Sequence, residues 1–178
     1  GASYTLTEGD DVLYAQWEKD DSQVHTISYT VEYYKNGVRD DSKTQTVTDT
    51  NVWVNDDTIP VKTDEINTAD AFGEHYEFVR TDPAEIPAEA ADQTVIKVYY
   101  QGVEDSLTYS GNGATSGSVA ATEGRTGQDV TVAANGFERT GYKFAGWDTQ
   151  ADGQGEDYAA GASYTLTEGD DVLYAQWE

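Results

Sequence analysis

The chain has 178 residues, a formal net charge of −24 and no cysteine. Its charge repels phosphate backbones and anionic membrane surfaces, so we expect no nucleic-acid partner. The lack of cysteine excludes a disulfide framework and thiolate metal sites, and it is compatible with bacterial surface proteins.

The first and last eighteen residues of the chain are identical. The eighteen residues GASYTLTEGDDVLYAQWE occupy positions 1–18 and return unchanged at 161–178. Such identity indicates a recent duplication, which predicts a unit of 160 residues. We therefore expect residues 1–18 to be the C-terminal hairpin of a preceding repeat. Because the rest of that repeat is missing, we predict that the hairpin packs on the following module or pairs with another molecule by strand exchange in place of 161–178.

Residues 19–102 carry strand patterns. A polar stretch at 19–23 predicts a linker, and Thr26–Lys35 then alternates apolar and polar residues as a half-buried strand does. Asn36-Gly37 supplies hairpin turn chemistry. Further strands are predicted at 43–55, 75–81 and 94–101, with at most one short helix within 62–73, for which Asp64 is the candidate N-cap.

Residues 103–178 repeat this organisation after a second predicted linker at 101–106. Strand patterns separated by Gly-rich turns occur at 106–111, 116–122, 129–134, 142–149, 162–167 and 171–177. Both halves have an aromatic late strand and close on a run of Val, Tyr and aromatic residues. We therefore predict a mostly β (α+β) chain of two related modules, 19–102 and 103–178, each a small twisted sheet with at most one short helix and no membrane-spanning segment.

Two sets of motifs resemble known repeat families. The runs GYKFAGW (141–147) and LYAQW (173–177) resemble the Listeria–Bacteroides repeat, an internalin B-repeat-like domain, over about 103–178. The opening strand departs from that family modestly, because its turn is Gly111-Asn112-Gly113. The runs YTVEYYKNG (29–37) and TVIKVYYQ (94–101) resemble MucBP-like repeats over about 25–101.

These resemblances imply two tandem ubiquitin-like β-grasp modules of an adhesin on Gram-positive bacteria. They also imply an extracellular location at the cell surface, anchored to the cell wall through regions outside these residues. The expected partners are then neighbouring repeats in the same chain, and host mucin, glycan or surface protein. Trp147 and Trp177 fall within the family motifs and are expected in the second core.

Catalysis is not expected. A nucleophile needs a base beside it, and the two histidines, His25 and His75, lie in no recognisable constellation. With 34 acidic residues, some carboxylate pair falls at glycosidase spacing by accident. No phosphate-binding loop or dinucleotide fingerprint occurs, so we expect no cofactor.

A calcium site is the weak metal candidate. Asp148, Asp152, Glu156 and Asp157 crowd one predicted hairpin, and carboxylate oxygens suit Ca²⁺. Their spacing fails the EF-hand pattern, and a solvated acidic turn is the simpler interpretation.

Trp53 is the candidate glycan-binding residue. In the run NVWVN, alternation places Trp53 on one strand face with Asn51 and Asn55, where an indole and two amides would suit a sugar ring. The alternative is that a loop or the short helix covers this indole. The pairs Tyr33-Tyr34 and Tyr99-Tyr100 must each place one ring on each face of a strand.

Two functions follow from these patterns. One is a non-catalytic stalk or spacer that projects a binding tip, and the alternative is direct mucin or glycan binding by the first module. A Lys–Asn isopeptide crosslink at Lys35 or Lys97 would fit such a stalk, although lysines in strands usually face solvent.

Overall fold

The computed structural model describes residues 2–18 and 20–178, and the prediction of a mostly β chain is confirmed. Over these residues one 3-10 turn occurs, Thr63–Glu65, and none of the helical structure is long and apolar enough to cross a membrane. The strands are β1 Val24–Lys35, β2 Val38–Trp53, β3 Thr58–Pro60, β4 Tyr76–Asp82, β5 Glu89–Ala91, β6 Thr94–Gly102, β7 Glu104–Ser110, β8 Ser116–Gly117, β9 Thr122–Arg125, β10 Asp129–Thr131, β11 Phe137–Glu138, β12 Phe144–Asp148, β13 Asp157–Tyr158, β14 Ser163–Thr165 and β15 Asp171–Trp177.

The first module, residues 24–102, is built on a four-stranded mixed sheet. Its strand order is β2-β1-β6-β4, with β1 and β6 parallel at the centre and both outer strands antiparallel to their neighbours. The Asn36-Gly37 turn joins β1 to β2, and Asn36 has the left-handed φ of 49° that Asn tolerates. The alternation in β1 buries Ile27, Tyr29 and their i+2 neighbours on one face.

Buried tyrosines hold the backbone of residues 62–73. The hydroxyl of Tyr29 accepts a hydrogen bond from the Lys62 N–H, and that of Tyr33 accepts one from the Asn67 N–H, both at 2.9 Å. The Asn67 side chain caps the N–H groups of the next turn. Since side chains satisfy these backbone groups, the segment needs no α-helix. Only the 3-10 turn Thr63–Glu65 forms within 62–73, which agrees with the prediction of at most one short helix in this module.

The second module, residues 104–178, repeats the strand scheme of the first. Its five-stranded sheet has the order β13-β12-β15-β7-β9, in which the parallel pair β7 and β15 lies at the centre. The equivalent order without β13 matches that of the first module, so the two topologies are related as the sequence predicts. The ubiquitin-like β-grasp assignment stays a prediction, because a loop takes the place of the crossing helix in the first module.

The two modules have separate hydrophobic cores. Trp147 is the largest fully buried side chain of the second core; the Phe144 ring contacts it edge-on, and the Trp177 ring contacts Phe144, so both tryptophans of the family motif belong to this core as predicted. The Trp147 indole N–H donates to the Ala133 carbonyl, and the Ala133 N–H donates to the Tyr109 hydroxyl. Aromatic side chains with polar tips therefore hold the loops of both modules.

Residues 2–18 form no strand and do not pack on the following module, so the first of the two arrangements expected for this segment is wrong, while its pairing with another molecule stays a prediction. Their large side chains are exposed: Leu13 is 72% exposed and Trp17 is 89% exposed. The identical residues at 161–178 form β14 and β15, in which Leu173 is fully buried. The same sequence is thus a packed strand in one place and an exposed segment in the other.

One turn is nevertheless common to both copies. The Asp171 carboxylate accepts hydrogen bonds from the Tyr164 hydroxyl and from the N–H and hydroxyl of Thr167. Asp11 accepts the same three bonds from Tyr4 and Thr7, at 3.2, 2.7 and 2.5 Å. Local side-chain chemistry therefore shapes this turn without the rest of the module.

Candidate functional site: the junction between the modules

The two modules meet end to end with one residue between their sheets. Strand β6 ends at Gly102 and β7 begins at Glu104, so the predicted linker at 101–106 is wrong. The N–H of Val103 donates to the His75 carbonyl, and its carbonyl accepts a hydrogen bond from the Thr126 N–H. Both polar groups of this residue are therefore held, one by each module.

Asn36 links the modules through its side-chain amide. Its oxygen accepts a hydrogen bond from the Gly102 N–H at 2.9 Å, and its Nδ2 donates to the Thr126 carbonyl of the second module at 3.0 Å. The turn between β1 and β2 places the Asn36 side chain so that its amide lies between Gly102 and Thr126. A carboxylate of the same shape would present an acceptor to the Thr126 carbonyl and lose the second bond.

Gly102 permits the close approach of the two backbones. It is buried, and a Cβ atom placed on it would lie far inside van der Waals contact with the Thr126 carbonyl oxygen. A carbonyl held in this way cannot move aside as a flexible side chain can. Any side chain at this position therefore requires the backbones of the two modules to move apart at this contact.

Two ion pairs cross the junction. Arg125 on β9 donates to the Glu77 carboxylate on β4 at 2.6 Å and to the Gly102 carbonyl at 2.9 Å. The hydrogen bond from Gln101 and then that from Arg125 lower the pKa of Glu77. Lys35 Nζ lies 3.7 Å from Glu168 and 4.4 Å from the centroid of the Tyr76 ring. We name these contacts, with those of Asn36, Gly102, Val103 and Thr126, the junction.

Lys35 does not face the core, as is usual for lysines in strands. Its side chain is 41% exposed and faces Glu168 across the junction. Lys97 is half-buried on β6. The isopeptide crosslink stays a prediction, which Lys35 no longer supports.

An open groove of about 500 Å³ runs beside the junction. Tyr99 and Arg80 contribute to it from the first module, and Arg125 and Gln128 from the second. The Arg80 guanidinium lies 4.0 Å above the Tyr99 ring, whose other neighbour is Tyr34, with ring centroids 4.8 Å apart. The alternation prediction is confirmed here, since Tyr33 and Tyr100 are buried while Tyr34 and Tyr99 are partly exposed.

The three predicted glycan-binding residues do not share one strand face. Trp53 is the last residue of β2, is partly exposed and pairs with Val24 of β1. Asn51 is exposed, and its N–H donates to the Asp49 carboxylate. Asn55 lies beyond the strand in a turn. Alternation therefore ends before Asn55, and only Trp53 and Asn51 keep the predicted relation.

The calcium candidates are not assembled into a metal site. Asp148 is fully buried and its Oδ1 accepts hydrogen bonds from the N–H groups of Gln150 and Gly155. Asp152 and Asp157 are exposed, as is Glu156. Over residues 2–18 and 20–178 no group of three or more His, Asp or Glu side chains is arranged to hold a metal ion. Asp148 instead shapes the turn of the β12–β13 hairpin.

Neither histidine adjoins a catalytic arrangement. His25 Nε2 lies 2.9 Å from the Asp56 carbonyl, and His75 Nε2 lies 3.7 Å from Glu74 Oε1. Both partners are ordinary surface groups. The His75 contribution to the junction comes from its backbone carbonyl, which sequence patterns do not reveal.

Sequence reasoning missed the residues of the junction. Asn36-Gly37 predicts a turn, and an Asp at the first position would predict the same turn. The need for an amide arises only from a carbonyl ninety residues later in the chain. Gly102 offered one usable signal, since a glycine inside a strand pattern often marks a close backbone approach.

The geometry defines a protein of tandem β modules in which one residue separates the two sheets. Residues 106–176 match the family model of the Listeria-Bacteroides repeat domain, which confirms the predicted family of the second module. The MucBP-like resemblance of the first module stays a prediction.

Two relatives are similar to part of this chain. One from Evansella cellulosilytica, named "Putative membrane protein", is 39% identical over 71 residues, which are 39% of this chain and 11% of the relative. A second from the same organism, named "Putative Gly-rich membrane protein", is 40% identical over 78 residues, 40% of this chain and 9% of the relative. The chain thus spans about a tenth of the length of these curated relatives.

Proposed function

We propose that this chain is a non-catalytic spacer repeat of a surface-associated bacterial protein. Two modules held end to end form a short rod, and repetition of the unit lengthens it. The function of such a rod is to hold a binding region away from the cell. We extend the proposal to an adhesin anchored in the cell wall, with neighbouring repeats as the partners of each unit.

The junction is the observation that carries this proposal. A flexible tether would need a polar linker without fixed contacts, as Gly/Ser-rich linkers provide. Here a single residue separates β6 from β7, and hydrogen bonds from Asn36, Val103 and Arg125 cross to the neighbouring module. The bonds that join Thr126 to Asn36 and Val103 contribute about 1 kcal/mol each, and together with the Arg125 contacts they favour one relative orientation of the modules.

The comparisons and the charge agree with this proposal. Both relatives carry names of membrane proteins, and both are much longer than this chain, as the parents of repeat modules are. The net charge of −24 keeps neighbouring copies of a repetitive protein apart and soluble. The Listeria-Bacteroides repeat at 106–176 supports a repetitive protein.

Gly102→Ala tests the rod. Because the added methyl group overlaps the Thr126 carbonyl, we expect the modules to separate and to lose about 2 kcal/mol from the two hydrogen bonds that join Thr126 to Asn36 and Val103. Small-angle scattering should then show a more flexible particle, and residual dipolar couplings should give each module its own alignment. Gly169→Ala is the matched control, since its nearest atom lies 3.8 Å from the added methyl group.

Two results would contradict the proposal. One is a wild-type chain whose modules already tumble independently in solution. The other is a Gly102→Ala variant with the same alignment tensor for both modules. Unchanged chemical shifts within each core show that the variant alters the junction and not the modules.

A further inference from the structure

We propose that the groove beside the junction binds a sugar that carries one carboxylate group, such as a uronic acid within a glycan. Its volume of about 500 Å³ falls in the range of small-molecule sites. Both modules contribute residues to the groove, and Trp53 is not among them. The inference does not rest on the proposed spacer function.

A bulge in β4 brings Arg80 into this groove. Phe78 pairs with Tyr100 in the ladder between β4 and β6. The next pair is Arg80 with Tyr99, so β4 has one extra residue between the two pairs. Regular pairing after Phe78 would place Arg80 opposite Val98, on the buried face of the sheet. The bulge places Arg80 opposite Tyr99 on the other face, which is how a bulge redirects a side chain.

Stacking holds the Arg80 guanidinium in place. It lies 4.0 Å from the centroid of the Tyr99 ring, and Tyr99 stacks in turn on Tyr34. Over residues 2–18 and 20–178 this guanidinium has no hydrogen bond or ion pair. A guanidinium binds a carboxylate through two parallel hydrogen bonds. Because the stack already orders the side chain, less conformational entropy is lost when a carboxylate binds.

The second module supplies further free donors. Arg125 contacts Glu77 and the Gly102 carbonyl through Nη1 alone, so its Nε and Nη2 have no acceptor within the described residues. Gln128 is exposed, and its side-chain amide makes no hydrogen bond in the same part of the chain. An amide both donates and accepts, as the hydroxyl groups of a sugar do. The groove therefore offers guanidinium groups for a carboxylate and an amide for hydroxyl groups.

The charge of the groove is opposite to that of the chain. The chain has 34 acidic and 10 basic residues, yet the described residues that line the groove include two arginines and no acid. Glu77 offsets part of the Arg125 charge, which leaves Arg80 as the unpaired cation. A single carboxylate is attracted here, whereas the net charge of −24 repels a polymer with a charge on every ring. An isolated acidic sugar is therefore the ligand that this groove suits.

Titration of the full chain with methyl glucuronide tests the inference, with methyl glucoside and acetate as comparisons. The glucuronide should give saturable NMR shifts at Arg80, Tyr99 and Gln128. Its Kd should be on the order of 1 mM, as expected for a ligand of about 14 non-hydrogen atoms. The glucoside has the ring without the carboxylate, and acetate has the carboxylate without the ring. Each should therefore bind at least about tenfold more weakly.

Substitutions in each module assign the site. Arg80→Ala removes the unpaired guanidinium and should weaken glucuronide binding at least about tenfold. Arg139→Ala is the matched control, since Arg139 lies 4.1 Å from the centroid of the Tyr142 ring but lines a groove that contains Glu138. Its Kd should equal that of the wild type. Gln128→Ala, in the second module, should weaken binding about threefold.

The proposal is overturned if the glucuronide gives no saturable shift up to about 50 mM, or if the glucoside or acetate binds as tightly as the glucuronide. It is also overturned if Arg80→Ala keeps the wild-type Kd. An unchanged Kd in Gln128→Ala would exclude a site shared by the two modules. Unchanged shifts of the core residues Val98 and Leu173 show that each variant keeps both modules folded.

Discussion

At the scale of single residues, polar groups on aromatic and amide side chains decide this structure. Tyr29 and Tyr33 contribute rings to the first core and hydroxyls to a loop. Asn36 makes a turn and also holds the neighbouring module. The sequence predicts the first role of each residue, because periodicity reports burial. The second role depends on a distant backbone group, which periodicity does not report.

Trp53 can be tested as the glycan-binding residue by a single substitution. If the first module binds mucin glycans, as the alternative function requires, Trp53→Ala should weaken binding at least tenfold through loss of ring stacking, about 1.4 kcal/mol. Asn55→Ala is the control, because its turn lies off the strand. Surface plasmon resonance with immobilised mucin measures both. Equal binding by wild type and Trp53→Ala would remove Trp53 from consideration as the glycan-binding residue.

At the scale of elements, most of the long strands could be predicted, although β2 begins five residues before its predicted start, and several short strands could not. The patterns locate β1, β6, β7 and β15 to within two residues, since each alternates over seven or more residues. Of the strand predicted at 116–122, only its first two residues form β8, and its last residue begins β9. Strands such as β3, β5, β11 and β13 have three residues or fewer, too few for a period, and exist through their pairing partners.

The turn before β15 should make the stability of the second module depend on pH in the alkaline range. Burial and then the hydrogen bond to Asp171 raise the pKa of Tyr164. The unfolded tyrosine ionises near its usual pKa of about 10, so its contribution is complete below that pH and is lost as pH rises toward the folded pKa. We expect the Tm of the second module to fall between about pH 9.5 and 12. In a Tyr164→Phe variant, the Tm measured by circular dichroism should depend less on pH over this range. An equally steep fall of Tm in the variant would show that another group causes the pH dependence.

At the scale of the whole molecule, the chain has only 10 basic residues against 34 acidic ones. Two of the basic residues, Lys35 and Arg125, form ion pairs with acids of the other module at the junction. The depressed pKa of Glu77 means that its contribution is present above about pH 4.5, its usual value, and is lost as pH falls through the folded pKa. Protonation removes the charge that Arg125 contacts.

We therefore expect the junction to loosen below about pH 4 before either core unfolds. Scattering at neutral and acidic pH measures the change in flexibility, while near-UV circular dichroism follows the cores. Glu77→Gln should be as flexible at neutral pH as the wild type is in acid. A wild-type chain whose flexibility and core signals change together would contradict this order of events.

The parallel strand pairs have a consequence when tension is applied to the ends of the chain. Tension draws β1 toward one end and β6 toward the junction, and it draws β7 and β15 apart in the same lengthwise sense. Lengthwise sliding strains all hydrogen bonds of a ladder together, whereas peeling would break them singly. The ladder has seven paired positions in the first module and four in the second. We therefore expect the second module to unfold at a lower pulling force than the first.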